Sequence, residues 1–508
     1  MTTNEPTWDL LVVGGGINGT GIAADAAGRG LSVLLCEKGD LASATSSASS
    51  KLVHGGLRYL EYFEFGLVRK ALAEREVLLA KAPHLIHPLR FILPHMNMVR
   101  PAWMIRIGLF LYDHLAHHPR LPNSHGINLR EDPAGASLDK ALSKGFAYSD
   151  CWVDDARLVV CNAMAAAANG ADIRTRTELA KARRSDSLWR AWLHDHTNDV
   201  EFTVRARALV NAAGPWVESL LHGPLALRDT EGVRLVKGSH IVVPRIYVGR
   251  HAYILQHTDR RVVFVMPFEG DFSLIGTTDV VLSGTPEDAA VEAEEIAYLC
   301  QVVSSYFKTP IRPYDVVWSY TGVRPLFDDE AEDPSAVTRD YVLDLDVRES
   351  EVPLLSVFGG KITTYRQLAE EALAELESYF PNMGAAWTEA TPLPGGDVPN
   401  GDLEAFIKDL VARYPDLDSA MLASMAQRHG SLTTVILGEA RQPMDMGQDF
   451  GAGLSAREVD YMIAHEWART ANDVLWRRSK AGIHMNSGQR AAVEGYIEAA
   501  MASAPDNR

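Results

Sequence analysis

The chain has 508 residues, 47% hydrophobic and 23% charged, the proportions of a globular protein with room for two or three well-buried domains. A formal net charge of −17 excludes a general nucleic-acid binder and disfavours an anionic membrane, except through a local basic patch. Four cysteines, Cys36, Cys151, Cys161 and Cys300, form no C-x-x-C pair, so buried or free thiols in a reducing compartment are expected and a disulfide framework is not.

The opening "MTTNEPTWDLLVV" lacks a basic stretch followed by an apolar one, so no signal peptide is expected. No window approaches the ~18 uninterrupted apolar residues of a spanning helix. The expected location is the cytosol, or the cytosolic side of a membrane with the protein held peripherally.

Residues 9–13, "DLLVV", predict a strand, "GGGINGTG" (14–21) a glycine turn, and "IAADAAGRG" a helix. "LSVLLCEKGD" predicts a second strand ending in Glu37, which completes a β-α-β unit. A helix over 66–83 stops at a proline. Downstream, "RALVNAAGPW" (207–216) ends a strand in small residues, and β alternation runs through 238–279. "LLSVFGGKITTYRQLAEEALAEL" (354–376) repeats the strand, glycine turn and helix. After a Pro/Gly-rich linker at 391–402, residues 403–508 predict a helical domain.

Gly14-x-Gly16-x-x-Gly19 stands between a strand and a helix, where glycines allow a tight turn and close backbone approach to a pyrophosphate. Glu37 ends the next strand, where an acid takes a ribose hydroxyl. The alternative is an ordinary βα turn. A nicotinamide enzyme continues with further βα units, whereas here a polar loop, "LASATSSASSKLVHGG", follows at once. The completing segments lie far away at 207–216 and 354–376, a layout that suits a long flavin held by several stretches of chain.

The ordered set "GGGINGTGIAADAAGRG", "ATSSASSKLVHGGLRYLE", "GFAYSDCWVDDARLV", "KGSHIVVP", "IGTTD", "SYTGVRPL" and "LLSVFGGKITTYR" resembles the FAD-dependent (aerobic) glycerol-3-phosphate dehydrogenase family, within the D-amino-acid-oxidase-like flavoproteins. The resemblance covers about residues 9–385 and extends to a C-terminal part ending in "HEWARTANDVLWRR". It implies an α/β (α+β overall) architecture. A Rossmann-like FAD-binding domain (about 9–80, 150–235 and 335–385) interleaves with an antiparallel-sheet substrate domain (about 81–149 and 236–334). It also implies oxidation of sn-glycerol 3-phosphate to dihydroxyacetone phosphate, electrons passing to a membrane quinone, a role in glycerol catabolism, and a homodimer peripheral to the inner membrane.

Such a reaction needs a hydride acceptor, a base for the hydroxyl proton and cations for a phosphate dianion. Arg324, between a glycine turn and a proline, is the first candidate cation; its alternative is a salt bridge to an acid of "DDEAED" (328–333). Lys361 in "FGGKITT" is expected to meet phosphate or the flavin, or else to be a solvated loop lysine. Arg58 and Tyr59 reach the same anion unless "LRYLE" simply begins a helix. His240 is the candidate base, against a satisfied core histidine. The resemblance adds Arg339 near substrate or flavin.

For FAD, the resemblance implies Gly14, Gly15, Gly16, Asn18, Gly19 and Glu37 in the first unit. In the serine loop it implies Thr45, Ser46, Ser47, Ser49, Lys51, Leu52, His54 and Gly56, with Gly55 and Gly56 letting the backbone pass the isoalloxazine. Further along it implies Ala213, Gly214 and Trp216, then Gly359, Gly360, Lys361, Ile362 and Thr363.

No metal is expected: His114, His117 and His118 lack a supporting carboxylate or thiol cluster, and the Asp pairs at 154–155 and 328–329 are not needed for hydride chemistry. The amphipathic stretch 99–120, with Trp103, Ile105, Ile107, Leu109, Phe110 and Leu111 beside Arg100 and Arg106, is either a membrane contact or a core helix. "LWRRSK" (475–480) is a small basic cluster. Three rival functions remain: an oxygen-using oxidase, which carries an insertion with no room here; an FAD amine or amino-acid oxidase, which needs fewer cations; and a flavin-bearing redox sensor.

Overall fold

The computed structural model describes residues 5–96, 100–227, 232–259, 261–327, 340–347 and 352–503. The chain passes back and forth between two sheets before entering a helical C-terminal region.

The first sheet is parallel at its centre. Thr7–Val13 lies between Val33–Glu37 and Val200–Asn211, and Leu354–Phe358 pairs with the last of these. "LLVV" and "VLLC" are apolar at successive positions because both faces are covered. Leu10, Val12, Val33 and Leu35 meet the helix Ile17–Gly28, while Leu11, Val13, Leu34 and Cys36 face a core built with Trp189 and Leu193. That helix is alanine-rich, which lets Asp155–Ala168 and Tyr365–Glu375 pack against it. Register aligns Val13 with Asn211 and Cys36, so the carboxyl ends of the central strands open at one edge, where α/β sheets take their ligands. Sequence periodicity did not distinguish the antiparallel hairpin Thr177–Ser185/Leu188–Asp195, which pairs onto Val200–Asn211.

The second, ten-stranded sheet stands over that edge. One face rests on the helix Ala293–Ser304 through Leu299, Val302 and Val303 against Ile241, Val243 and Ile275. Its other face, which carries Val242 and Met266, packs on Ile105 and Leu109 of the helix Ala102–His114 and turns toward the first sheet beyond them. The helix expected over 66–83 spans Phe65–Lys81, ending one residue before the pre-proline Ala82.

The C-terminal region has two apolar cores and, besides its helices, a short hairpin at Asp449–Gly451/Leu454–Ser455. It docks through buried charges. Arg157, fully buried, donates to Glu466, which also pairs with His429, and His429 Nε2 lies 2.8 Å from Glu458. The basic cluster 475–480 is turned inward. Arg477 and Arg478 bind Asp40 at 2.6 and 2.8 Å, and Lys480 binds Asp154 at 2.5 Å.

Candidate active site

A cavity of about 970 Å³ opens between the two sheets. Its nucleotide end is the turn after Thr7–Val13. At Gly14 φ is +117°, and a Cβ there would stand 2.4 Å from the Ala212 carbonyl oxygen. A Cβ on Gly19 would stand 1.9 Å from the Gly14 carbonyl oxygen, so this glycine seats the helix on the turn. Gly16 and Asn18 face the cavity at the helix N-terminus, where partial positive charge favours an anion. Asn18 donates to the Gly359 carbonyl at 3.0 Å while its Oδ1 is buried without a hydrogen-bond partner among the described residues. Glu37 accepts from the Gly15 and Gly39 N–H groups, both at 2.7 Å; burial pushes its carboxyl up against these two bonds.

The serine loop is stitched to the protein at nearly every hydroxyl. Ser46 Oγ accepts from the Ile17 N–H at 3.0 Å, and Ser47 donates to the Ala44 carbonyl at 3.2 Å. Ser49 donates to Asp155 at 2.8 Å, and Thr45 to the Val323 carbonyl at 2.6 Å. Ser50 Oγ lies 2.9 Å from His240 Nε2. Lys51, buried, binds the other Asp155 oxygen at 2.7 Å; desolvation lowers its ammonium and Asp155 opposes that.

The other end is laid out by a strand pair. Val233–Pro244 runs antiparallel to Trp318–Phe327 with Val236 opposite Arg324, Gly238 opposite Gly322 and His240 opposite Tyr320. These six share one face, since alternate residues point the same way. The glycine pair makes room for its neighbours: a Cβ on Gly238 would stand 2.9 Å from Arg324 Nη2, and one on Gly322 2.7 Å from the Ala48 carbonyl oxygen of the serine loop. His240 is 3% exposed, its ring stacked on Tyr320 at 4.9 Å. Burial first, then the charges of Lys51 and Arg324, push its imidazole down to about 3, so it is neutral at neutral pH. Arg324 pairs with Asp279 and donates to the Thr278 carbonyl at 3.3 Å. Arg324 is thus ion-paired with Asp279, on the cavity wall, whereas the acids of 328–333 expected as its partners lie outside the described residues. Arg58, Tyr59 and Lys361 complete this end, with Nε of Arg58 and Nζ of Lys361 buried and lacking hydrogen-bond partners among the described residues.

Most residues expected at the site line this cavity: Gly14, Gly16, Asn18, Glu37, Thr45, Ser46, Ser49, Leu52, His54, Ala213, Gly214, Trp216 and Gly359 to Thr363. Six do not. Gly15 is turned onto Glu37, Gly19 is under the helix, Ser47 and Lys51 bond within the loop, and Gly56 backs onto the Tyr59 ring. A Cβ on Gly55 would meet Leu72, and its N–H donates to Tyr112 at 2.8 Å. Arg339 and the acids of 328–333 lie outside the described residues. Ser50 and Asp279 were not singled out, although each sits inside a stretch, the serine run or "IGTTD", that carries the resemblance. Asp154 and Asp155 hold Lys480 and Lys51, and the nitrogens of His114 and His118 bond backbone carbonyls.

The cavity fits FAD on this chain's own features: a turn where only glycine fits, an acid at the second strand's end, and orphaned polar atoms on Asn18 and Lys361. The fold and site define an FAD-dependent oxidoreductase, and the model of that family matches residues 9–366. The model described as the C-terminal domain of alpha-glycerophosphate oxidase matches 386–503. The chain is 54% identical to a glycerol-3-phosphate dehydrogenase of Pseudomonas aeruginosa, over 97% of this chain and 95% of the relative. It is 51% identical to the aerobic glycerol-3-phosphate dehydrogenase of Escherichia coli, over 97% of each chain. A D-erythritol 1-phosphate dehydrogenase of Brucella abortus is also 51% identical, over 97% of this chain and 98% of that one. The crystal structure of a Bacillus halodurans glycerol-3-phosphate dehydrogenase complexed with FAD superposes with a TM-score of 0.75 at 25% identity, covering 98% and 95% of the two chains. The chain belongs to the family of FAD-dependent glycerol-3-phosphate dehydrogenases, and its cofactor is FAD.

Proposed function

We propose that this enzyme oxidises sn-glycerol 3-phosphate to dihydroxyacetone phosphate and passes the electrons to a membrane quinone. The observation that carries the substrate class is the presence of Arg324, Arg58 and Lys361 on the wall of the flavin cavity with a buried neutral imidazole, Nζ of Lys361 having no hydrogen-bond partner among the described residues. Three cations set against the Asp279 carboxylate that pairs with Arg324 leave an excess of positive charge, which suits a phosphate dianion better than a carboxylate. FAD, when bound, supplies the hydride acceptor. Arg324, Arg58 and Lys361 hold the phosphate, Glu37 and the Gly14–Asn18 turn take the ribose and pyrophosphate, and His240 is the sink for the hydroxyl proton.

The acceptor reading rests on an exposed apolar face. The helix Ala102–His114 buries Ile105, Leu109 and Tyr112 and exposes Trp103, Met104, Ile107 and Phe110. The segment therefore packs on the core through one face and leaves an apolar face exposed. Tyr62, Phe63 and Phe65 add exposed aromatic surface, tied to that helix by the Arg100–Glu61 pair, and Tyr62 also lines the cavity. An exposed apolar face, with the half-exposed Tyr62 also on the cavity wall, suits peripheral seating in a bilayer and a lipid-soluble acceptor. No helix among the described residues is long and apolar enough to cross a membrane. A homodimer is proposed on the family resemblance.

Anaerobic addition of sn-glycerol 3-phosphate to the holoenzyme tests the reading: bleaching of the flavin band near ~450 nm is expected, reversed by a quinone analogue and only slowly by oxygen. Bleaching by D-erythritol 1-phosphate alone would move the substrate to the four-carbon polyol phosphate, and bleaching by D-alanine or sarcosine alone would refute the phosphate reading.

A further inference from the structure

We infer that Ser50 is a catalytic residue, the hydroxyl through which the substrate's proton reaches His240; the inference rests on the polyol-phosphate reading above.

The imidazole has little surface of its own to offer. His240 is 3% exposed and Nδ1 is buried with no partner among the described residues. One ring face is covered by Tyr320, and a Cβ on Gly276 would stand 2.0 Å from His240 Cδ2, so the ring is tightly wedged. The remaining nitrogen, Nε2, is occupied at 2.9 Å by Ser50 Oγ, and Ser50 itself lines the cavity. His240 and Ser50 both line the cavity, and with Nε2 occupied by Ser50 Oγ a substrate hydroxyl has its route to that nitrogen through the serine.

The loop holds Ser50 still from both sides. Ser49 is bonded to Asp155, Lys51 to Asp155 and the Ser47 carbonyl, and Tyr320, the ring under His240, donates to the Ser49 carbonyl at 2.9 Å. The hydroxyl is thus held against Nε2 by the stacking partner of the same imidazole, which is the fixed geometry a proton relay needs.

The step balances as follows. The substrate O–H bond breaks as its proton passes to Ser50 Oγ, and the Ser50 proton passes to His240 Nε2, leaving serine neutral and histidine as imidazolium. The C–H hydrogen leaves with its electron pair to the FAD of the proposed reaction, and the carbonyl forms. Nε2 accepts in this scheme, so the resting proton of the neutral ring is on Nδ1. The charged groups facing the ring are Lys51 on the serine loop and Arg324 on the partner strand, with Asp155 paired to the first and Asp279 to the second. Burial is the larger cause of the low imidazole value, and a phosphate dianion set against Arg324 opposes the smaller contribution of that charge, in the direction that favours protonation.

The test uses holoenzyme variants S50A, S50T, H240N and the double S50A/H240N. FAD content and binding of a non-reactive phosphate (by its perturbation of the flavin spectrum) are measured alongside stopped-flow flavin reduction across pH. Loss of a general acid–base group costs roughly 10²- to 10⁴-fold. The expected result is a loss of that order in S50A with FAD content and phosphate affinity unchanged, and no further loss in the double variant. S50T, which keeps a hydroxyl, should recover most of the rate, and the pH dependence seen in the wild type should flatten in S50A and H240N alike. Wild-type reduction in S50A, or losses that multiply in the double variant, would remove the relay and leave the function reading intact. A wild-type flavin that no polyol phosphate bleaches would remove both.

Discussion

The ammonium of Lys361 lies 3.9 Å from the centre of the Tyr59 ring, and its Nζ is buried with no hydrogen-bond partner among the described residues. Two segments some three hundred residues apart, the glycine turn after Leu354–Phe358 and the turn following the serine loop, meet in this contact. A ring face attracts a cation without using any of its three N–H donors. Those donors are left for an anion.

The Lys361→Met variant keeps much of the side chain's length and removes the charge. A hydrogen bond to a charged group contributes about 1.5–3 kcal/mol, roughly a 10- to 150-fold weaker substrate affinity. Equilibrium binding of the phosphate substrate to the oxidised holoenzyme, with FAD retained, measures it; unchanged affinity would take Lys361 out of the anion site.

Gly14 has the opposite dependency, on the cofactor. With φ at +117° and the Ala212 carbonyl oxygen 2.4 Å from where a Cβ would sit, Gly14→Ala cannot keep the turn that presents Gly16 and Asn18 to the pyrophosphate. The variant is expected to purify without the flavin absorbance and to melt at a lower temperature. A yellow Gly14→Ala protein with wild-type flavin content would contradict this account of the turn.

What the sequence disclosed follows from where its signals are local. The turn at Gly14–Gly19, the strand ending in Glu37 and the helix near 66–81 each show in a short window, because glycine spacing and apolar runs are local physics. The serines of 46–50 were legible as a polar loop facing a cofactor, but their partners were not. Ile17, Asp155 and His240 are brought to them by three different elements, and no spacing rule encodes that. Arg324 was picked as a cation needing an anion, while its actual pairing with Asp279 depends on a neighbouring loop crossing the sheet. The cluster "LWRRSK" showed in the sequence only as a small basic cluster, and the docked C-terminal region shows it bound to Asp40 and Asp154.

That docking has its own pH dependence. Glu458 is held down to about 2, chiefly by the charges of Arg428 and His429 working against burial, and Glu466 is held lower still by Arg157. Carboxylates depressed in the folded state contribute stability above their unfolded values, and that contribution is lost as pH falls toward the folded value. The stability difference between wild type and Glu458→Gln, from denaturant melts, should be full near neutral pH and shrink between about 4.5 and about 2. Arg157→Ala leaves Glu466 buried without its cation and should cost about 3–5 kcal/mol at neutral pH. A difference that grows on acidification would reverse the assigned sign.

The apolar face of the helix Ala102–His114 predicts a separable defect. Trp103 is 66% exposed and Phe110 is 53% exposed, on the side of the helix away from Ile105 and Leu109, which anchor it to the core. Charging the outer face leaves that anchor untouched, so Trp103→Glu/Phe110→Glu should fold, retain FAD and be reduced by substrate as the wild type is. Burying a large apolar side chain contributes about 1.5–3 kcal/mol, so losing two should weaken binding to lipid vesicles at least tenfold. Sedimentation with vesicles of neutral lipid reads this directly, and neutral lipid removes any contribution from the chain's net charge of −17. Electron transfer to a short-chain, water-soluble quinone should persist in the variant while transfer to a vesicle-borne long-chain quinone falls. Equal vesicle binding by the two proteins would mean that this face does not seat the enzyme on a membrane.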